Sequence, residues 1–207
     1  SPPTRIRLRE ETLSGTLEAL TTGQADLAIG VGADSARTAG VHSKPMGSIS
    51  FVYAVAPHHP LAQAPEPLSD ELIQKHRAVA VADSVQRGAG QTFGLLSGQD
   101  VFTVPTMHAK LDAQLRGLGG GNLPRCMADA YIQTGRLVVK KTERPQRNVP
   151  LHYAWRQTKT IIRRQLMNAP WKSAVAGTRD LIHAYVCDDV TLDVVRGVCE
   201  EIGWTQD

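Results

Sequence analysis

Few side chains in this 207-residue sequence could do chemistry, and their spacing narrows what that chemistry is. His58 and His59 are adjacent, and successive residues of an extended segment point to opposite sides, so the two do not converge on one metal and read as surface side chains. Cys126, Cys187 and Cys199 form no C-x-x-C pair and have no histidine close by in sequence, which argues against an enclosed zinc site and leaves buried or idle thiols. Glycines cluster at 88–98 and 117–121. Neither stretch has the G-x-x-x-x-G-K-[ST] order, nor a G-x-G-x-x-G opening a helix, so both read as turns and helix caps rather than phosphate cradles. G-x-S-x-G, H-E-x-x-H and S-x-x-K are missing too, so no catalytic residue, metal or cofactor is assigned. Binding chemistry remains. Pro105, Thr106 and His108 open a helix whose free N–H groups and positive dipole end suit a carboxylate or another small anion, although Thr106 reads equally well as an N-cap. Asp83, Ser84 and Val85 end an apolar segment, and Asp83 and Ser84 read equally as turn residues bonding their own backbone. Arg87 has the charge to pair with a carboxylate, but a solvated side chain is the commoner state of an arginine beside glycines.

The elements that position these residues follow from periodicity. Arg5 to Arg9 alternate as a half-buried strand does; Leu13, Leu17 and Leu20 recur at helical spacing; and Gly23 stands where a left-handed cap ends a helix. Asp26 to Val31 is a short apolar run bounded by glycine, as in a strand buried on both faces. Strand, helix, strand is a βαβ unit, which implies parallel pairing. A strand at 49–55 is followed by Pro57, Pro60, Pro65 and Pro67 in an irregular connection, and Ser69 N-caps a short helix. Strands are expected at 78–82 and 101–104. Met107, Leu111, Leu115 and Leu118 mark a helix ended by glycines, and Met127, Ala130 and Tyr131 another. Strands at 137–139 and 151–155 follow, then a helix from Pro170 and an amphipathic tail.

These elements sum to two α/β halves without internal repeats. Hinges are expected near Ala56 to Pro67 and Arg144 to Pro150, so that the chain crosses twice, with lobe I at 1–60 and 148–207 and lobe II at 61–147. Ligands in such folds sit at the carboxyl ends of strands, and in two-lobed versions between the lobes. Gly32 and Ala33 from the first lobe, with Asp83, Ser84, Val85, Pro105, Thr106 and His108 from the second, are therefore the candidate ligand-binding residues. Composition agrees with a packed core at 42% hydrophobic content, and a net charge of +3 is too small to indicate a nucleic-acid or anionic membrane surface. No run is long enough for a membrane span, no signal sequence opens the chain, and the cysteine usage fits a reducing cytoplasm.

Three local patterns, in order, carry a family resemblance. Leu17 to Gly30 reads L-E-A-L-T-T-G-Q-A-D-L-A-I-G, His59-Pro60-Leu61-Ala62 follows, and Gly117-Leu118-Gly119 runs on to Leu123-Pro124 as a turn between two helices. The sequence thereby resembles the effector-binding domain of LysR-type transcriptional regulators over residues 5 to about 185. The resemblance implies an α/β fold of two Rossmann-like subdomains with a two-strand hinge, periplasmic-binding-protein-like (type 2). It also implies a small-molecule effector such as an organic or aromatic acid, homo-oligomers, and contact with DNA only through an N-terminal helix-turn-helix that this chain does not contain. Family members carry a strand and helix ahead of the segment beginning here at Arg5, so lobe I is expected to lack them. Gly120 and Asn122 stand where the family generally has apolar side chains, so looser packing is expected there. A transporter solute-binding protein and a small two-lobed enzyme are the competing readings.

Overall fold

The computed structural model describes residues 8–87 and 90–156. The first helix, α1 (Ser14–Thr21), buries Leu20 completely. It ends as expected: Gly23 has φ 81°, its N–H bonds to the Leu20 carbonyl and that of Gln24 to the Ala19 carbonyl, a left-handed cap that satisfies the last carbonyls. Leu13, expected on the helix face, lies just ahead of it at φ 52° and is exposed, because the chain bends there. Leu8 and Arg9 lie in no strand, and the rest of the expected 5–9 strand falls outside the described residues, as do the Pro170 helix and the tail.

β1 (Leu27–Val31) pairs antiparallel with β7 (Asn148–Arg156), Leu27 opposite Trp155, and Gly30 at φ 82° sits where the register shifts between Ile29 and Val31. Only Ala28 and Val31 of β1 are buried, so the strand covers one side of a core with Leu20 and Ala154 instead of being enclosed on both faces. β2 (Val41–Val55) is twice as long as the expected strand, since Pro45 and Gly47 make its first half read as loop. β2 and β7 are neighbours in the order β1-β7-β2-β5, with β6 also on β2.

The chain divides into two compact units. Among the described residues, unit 1 comprises 8–11, 16–48 and 150–156, and unit 2 comprises 12–15, 49–87 and 90–149. The two long strands carry the chain across the division, β2 between 48 and 49 and β7 between 149 and 150. The expected hinge segments at 56–67 and 144–150 belong to unit 2, apart from Pro150.

Unit 2 holds α2 (Asp70–Gln74), whose first-turn Leu72 N–H is capped by the Ser69 hydroxyl at 3.2 Å. β3 (Ala78–Val81) and β4 (Val101–Val104) pair in parallel, Ala78 opposite Val101 and Val81 opposite Val104. α3 (Met107–Leu115) packs Ala113 against Val79, Val81 and Val104. Between α3 and α4 (Arg125–Gln133) lies a strand rather than only a turn, β5 (Gly121–Pro124), antiparallel to Phe51–Ala54, and β6 (Val138–Lys140) pairs with the end of β2. A second core in this unit joins Tyr53, Val55, Leu61, Leu68 and Ile73.

Loose packing around Gly120 is contradicted. A Cβ on Gly119 would meet the Arg77 carbonyl at 2.6 Å, and one on Gly120 the Tyr53 hydroxyl at 2.6 Å and Val55 at 2.9 Å. The glycines let β5 come close to β2 and β3, so an apolar side chain has no room there. Idle thiols do not hold for Cys126 either, which is disulfide-bonded, so cysteine usage no longer argues for a reducing compartment.

Candidate functional site

The parallel pair β3 and β4 ends in register, and that brings six of the expected site residues to one edge of unit 2. The Ala82 N–H bonds to the Val104 carbonyl at 2.8 Å, so Asp83, Ser84 and Val85 leave β3 beside Pro105, Thr106 and His108, which leave β4 and open α3. Pro105 and His108 are exposed and the other four are half-buried. Thr106 caps α3, its hydroxyl accepting from the Ala109 N–H at 3.1 Å. The amides of Met107 and His108, in the same first turn, have no helical carbonyl to bond.

Asp83 and Ser84 do different work from that expected of ligand contacts. Asp83 Oδ1 accepts from the N–H groups of Val85 at 3.0 Å and Gly15 at 3.2 Å, and Oδ2 from the Gln91 N–H at 2.9 Å and the Ser14 hydroxyl. Burial pushes the Asp83 carboxyl up, but the hydrogen bonds from Ser14, Gln91, Val85 and Gly15 outweigh it and hold the group below its ordinary value. Ser84 Oγ accepts from the Thr12 N–H at 2.9 Å and donates to the Thr12 carbonyl at 3.1 Å, while the Thr12 hydroxyl donates to the Ala82 carbonyl at 2.6 Å. Gly15 fits because any Cβ there would collide with Ser84. Residues 12–15 are thus stitched to the end of β3, which is why they belong to unit 2 although the flanking chain belongs to unit 1. Sequence reading missed this stitch, since Thr12, Ser14 and Gly15 carry no pattern that points 70 residues ahead.

Gly32 and Ala33 lie in unit 1, exposed, where β1 gives way to a 3₁₀ turn (Ala33–Arg37), with the Ser35 N–H bonded to the Gly32 carbonyl at 3.1 Å. Among the described residues no group of three or more His, Cys, Asp or Glu could hold a metal ion. His59, expected at the surface, is buried; its Nδ1 accepts from the Leu61 N–H at 3.2 Å and its ring lies 5.4 Å from that of His76. Burial lowers its pKa, and the positive charges that His76 and His58 take up on protonation lower it further.

The buried side of α3 carries two further polar residues, Lys110 at 6% exposure and Gln114 at 0%. Burial pulls the Lys110 ammonium down to about 8. The stripe expected to face the core was Met107, Leu111, Leu115 and Leu118, but Leu118 is exposed, and Lys110 and Gln114 turn inward instead. Both lie at helical spacing from Met107, and that was the available signal.

The sequence matches the LysR substrate binding domain family over residues 1–164. The chain belongs to the LysR family. Among curated LysR relatives, it is 36% identical over 154 residues to the HTH-type transcriptional regulator YeeY of Escherichia coli (strain K12), covering 74% of this chain and 50% of that protein. It is 31% identical over 152 residues to the HTH-type transcriptional activator AllS of Klebsiella pneumoniae, covering 73% and 55%. The chain spans about half the length of these relatives. Solved LysR structures share the fold. Full-length LysG from Corynebacterium glutamicum with bound effector Arg aligns at TM-score 0.53 and 20% identity, covering 83% of this chain and 56% of that one. The regulatory domain of MetR from N. meningitidis aligns at 0.54 and 16% identity, covering 83% and 76%. The fold is therefore the LysR effector-binding one, α/β with two Rossmann-like subdomains joined by a two-strand hinge, as in periplasmic binding proteins of type 2. No helix among the described residues is long and apolar enough to cross a membrane.

Proposed function

We propose that this LysR effector-binding domain senses a small organic or aromatic acid, and that binding changes how full-length subunits hold DNA. The single observation behind the reading is the edge where β3 and β4 end together and the capped N-terminus of α3 offers backbone donors beside Thr106. A carboxylate is the complement of such donors. Thr106, His108 and Pro105 are the contacts expected from lobe II, with Gly32 and Ala33 from lobe I. Ser84 and Asp83 hold the edge in shape, Val85 following them. The bound effector Arg named for LysG, itself an amino acid, is in keeping with a carboxylate ligand.

In this reading the domain acts by binding and not by catalysis, works in the cytoplasm, and assembles as homo-oligomers whose DNA contacts lie in a separate helix-turn-helix. The acid must bind one arrangement of the lobes more tightly than the other, since equal affinity for both moves no equilibrium. Thermal-shift screening of organic acids, followed by calorimetry on the best one, tests the reading. Replacing Thr106 by alanine should weaken that acid's binding about tenfold, on the order of one lost hydrogen bond to a charged group. Unchanged affinity in Thr106→Ala counts against the site, and an acid that is turned over counts against a purely sensory role.

A further inference from the structure

The fold shows what it does with a buried lysine that is structural. Lys140, at 9% exposure, places its Nζ 2.8 Å from the Ala64 carbonyl, 3.3 Å from the Ala62 carbonyl and 3.2 Å from the Glu66 carboxylate. Lys110 is buried more deeply, and among the described residues it has neither a hydrogen bond nor an ion pair. One helical turn further on, Gln114 is fully buried, and both its Oε1 and its Nε2 lack a partner among the described residues. The two side chains converge on the backbone of β5: a Cβ on Gly121 would lie 3.0 Å from Gln114 Nε2 and 3.3 Å from Lys110 Cε. A fully buried polar side chain with unfilled hydrogen-bonding capacity, as at Gln114, is rare in a native fold, and the Lys110 side chain lies beside it.

We propose that Lys110 and Gln114 form a subsite for the carboxylate of a small organic acid, the ammonium donating to one oxygen and the Gln114 amide to the other. The chemistry of the pair selects this class. An ammonium has only donors and the Gln114 amide nitrogen adds another, so the two oxygens of an oxyanion can accept from both, while Gln114 Oε1 is left to accept from the ammonium. The subsite lies within unit 2, one to two turns along α3 from Thr106, and it rests on the effector-sensing reading given above.

The test uses the chain with 13Cε-labelled lysine, titrated by NMR with sodium acetate, sodium oxalate and sodium benzoate as probes. At least one probe should move the Lys110 titration midpoint upward, and its affinity should fall tenfold or more between pH 7 and pH 9.5 as the ammonium is lost. Lys110→Met should bind that probe at least tenfold more weakly and without the pH dependence. Gln114→Glu, which supplies an internal carboxylate, should raise the midpoint without any probe and abolish the response. A midpoint that no probe moves, or equal binding by Lys110→Met, overturns the subsite. An acid that stabilises the wild-type chain and Lys110→Met alike sinks the subsite and leaves the sensor reading standing, whereas a screen in which no acid binds the wild-type chain sinks both.

Discussion

Replacing Lys110 by methionine should stabilise the ligand-free domain, an unusual outcome for a change at a buried position. Lys110 is 6% exposed as a residue and forms no hydrogen bond or ion pair among the described residues, and burial pulls its pKa from 10.5 to about 8. That displacement corresponds to about 3 kcal/mol held against the folded state while the lysine is protonated in both states. Methionine has a similar reach and no charge, so at pH 7 it should recover up to about 3 kcal/mol. The sign reverses the usual pH profile. Above pH 8 the folded state releases its proton while the unfolded chain keeps its own until 10.5, so wild-type stability from this group rises with pH across that window. Urea unfolding of both proteins at pH 7 and pH 9.5, in buffers without carboxylate or phosphate, reads the difference directly. The gap should shrink by about 2 kcal/mol at the higher pH. A destabilised Lys110→Met at pH 7, or a gap that ignores pH, would mean that the ammonium is paired and the reasoning fails.

Other positions give independent outcomes. Gly120→Ala should cost about 1–3 kcal/mol in chemical denaturation, because the new methyl meets the Tyr53 hydroxyl at 2.6 Å and Val55 at 2.9 Å, and Tyr53→Phe in the same chain should return part of the loss. Asp83→Ala should cost about 2 kcal/mol by leaving the amides of Gly15, Val85 and Gln91 unpaired, and should expose the 12–15 segment to faster amide exchange. Because the Asp83 carboxyl is held below its ordinary 3.8, its contribution is fully present above pH 3.8 and lost as the pH falls through the depressed value, a loss that Asp83→Ala should not show in acid unfolding. His59 has a lowered pKa, so the unfolded chain protonates first and stability from this group falls as pH drops below 6.5. His59→Gln should flatten that part of the stability profile, and an unaltered profile would show that His59 is not its source.

Elements with strong local signals were legible in the sequence. The caps at Gly23, Ser69 and Thr106 are written in single residues whose backbone or hydroxyl chemistry is specific, and each is observed. β4 matches its expected span, because an apolar run between turn signals admits few alternatives. The first half of β2 and all of β5 were not legible, since Pro45, Gly47, Gly120 and Gly121 all read as turn residues when their neighbours in space are unknown. Pairing with a distant strand decides those segments, and local propensity does not reveal it. The site shows the same split. The order β3, β4, α3 placed six candidates at one edge, but nothing local disclosed that Asp83 and Ser84 are consumed by Thr12, Ser14 and Gly15, or that Lys110 and Gln114 face inward.

The most direct measurement of the sensor reading is a crystal structure of the chain grown with the organic acid that raises its melting temperature most. The account predicts difference density for that acid with its carboxylate against the start of α3, within reach of Thr106 or Lys110. Density for the acid only on an outer surface, or no acid that stabilises the domain at all, would contradict it.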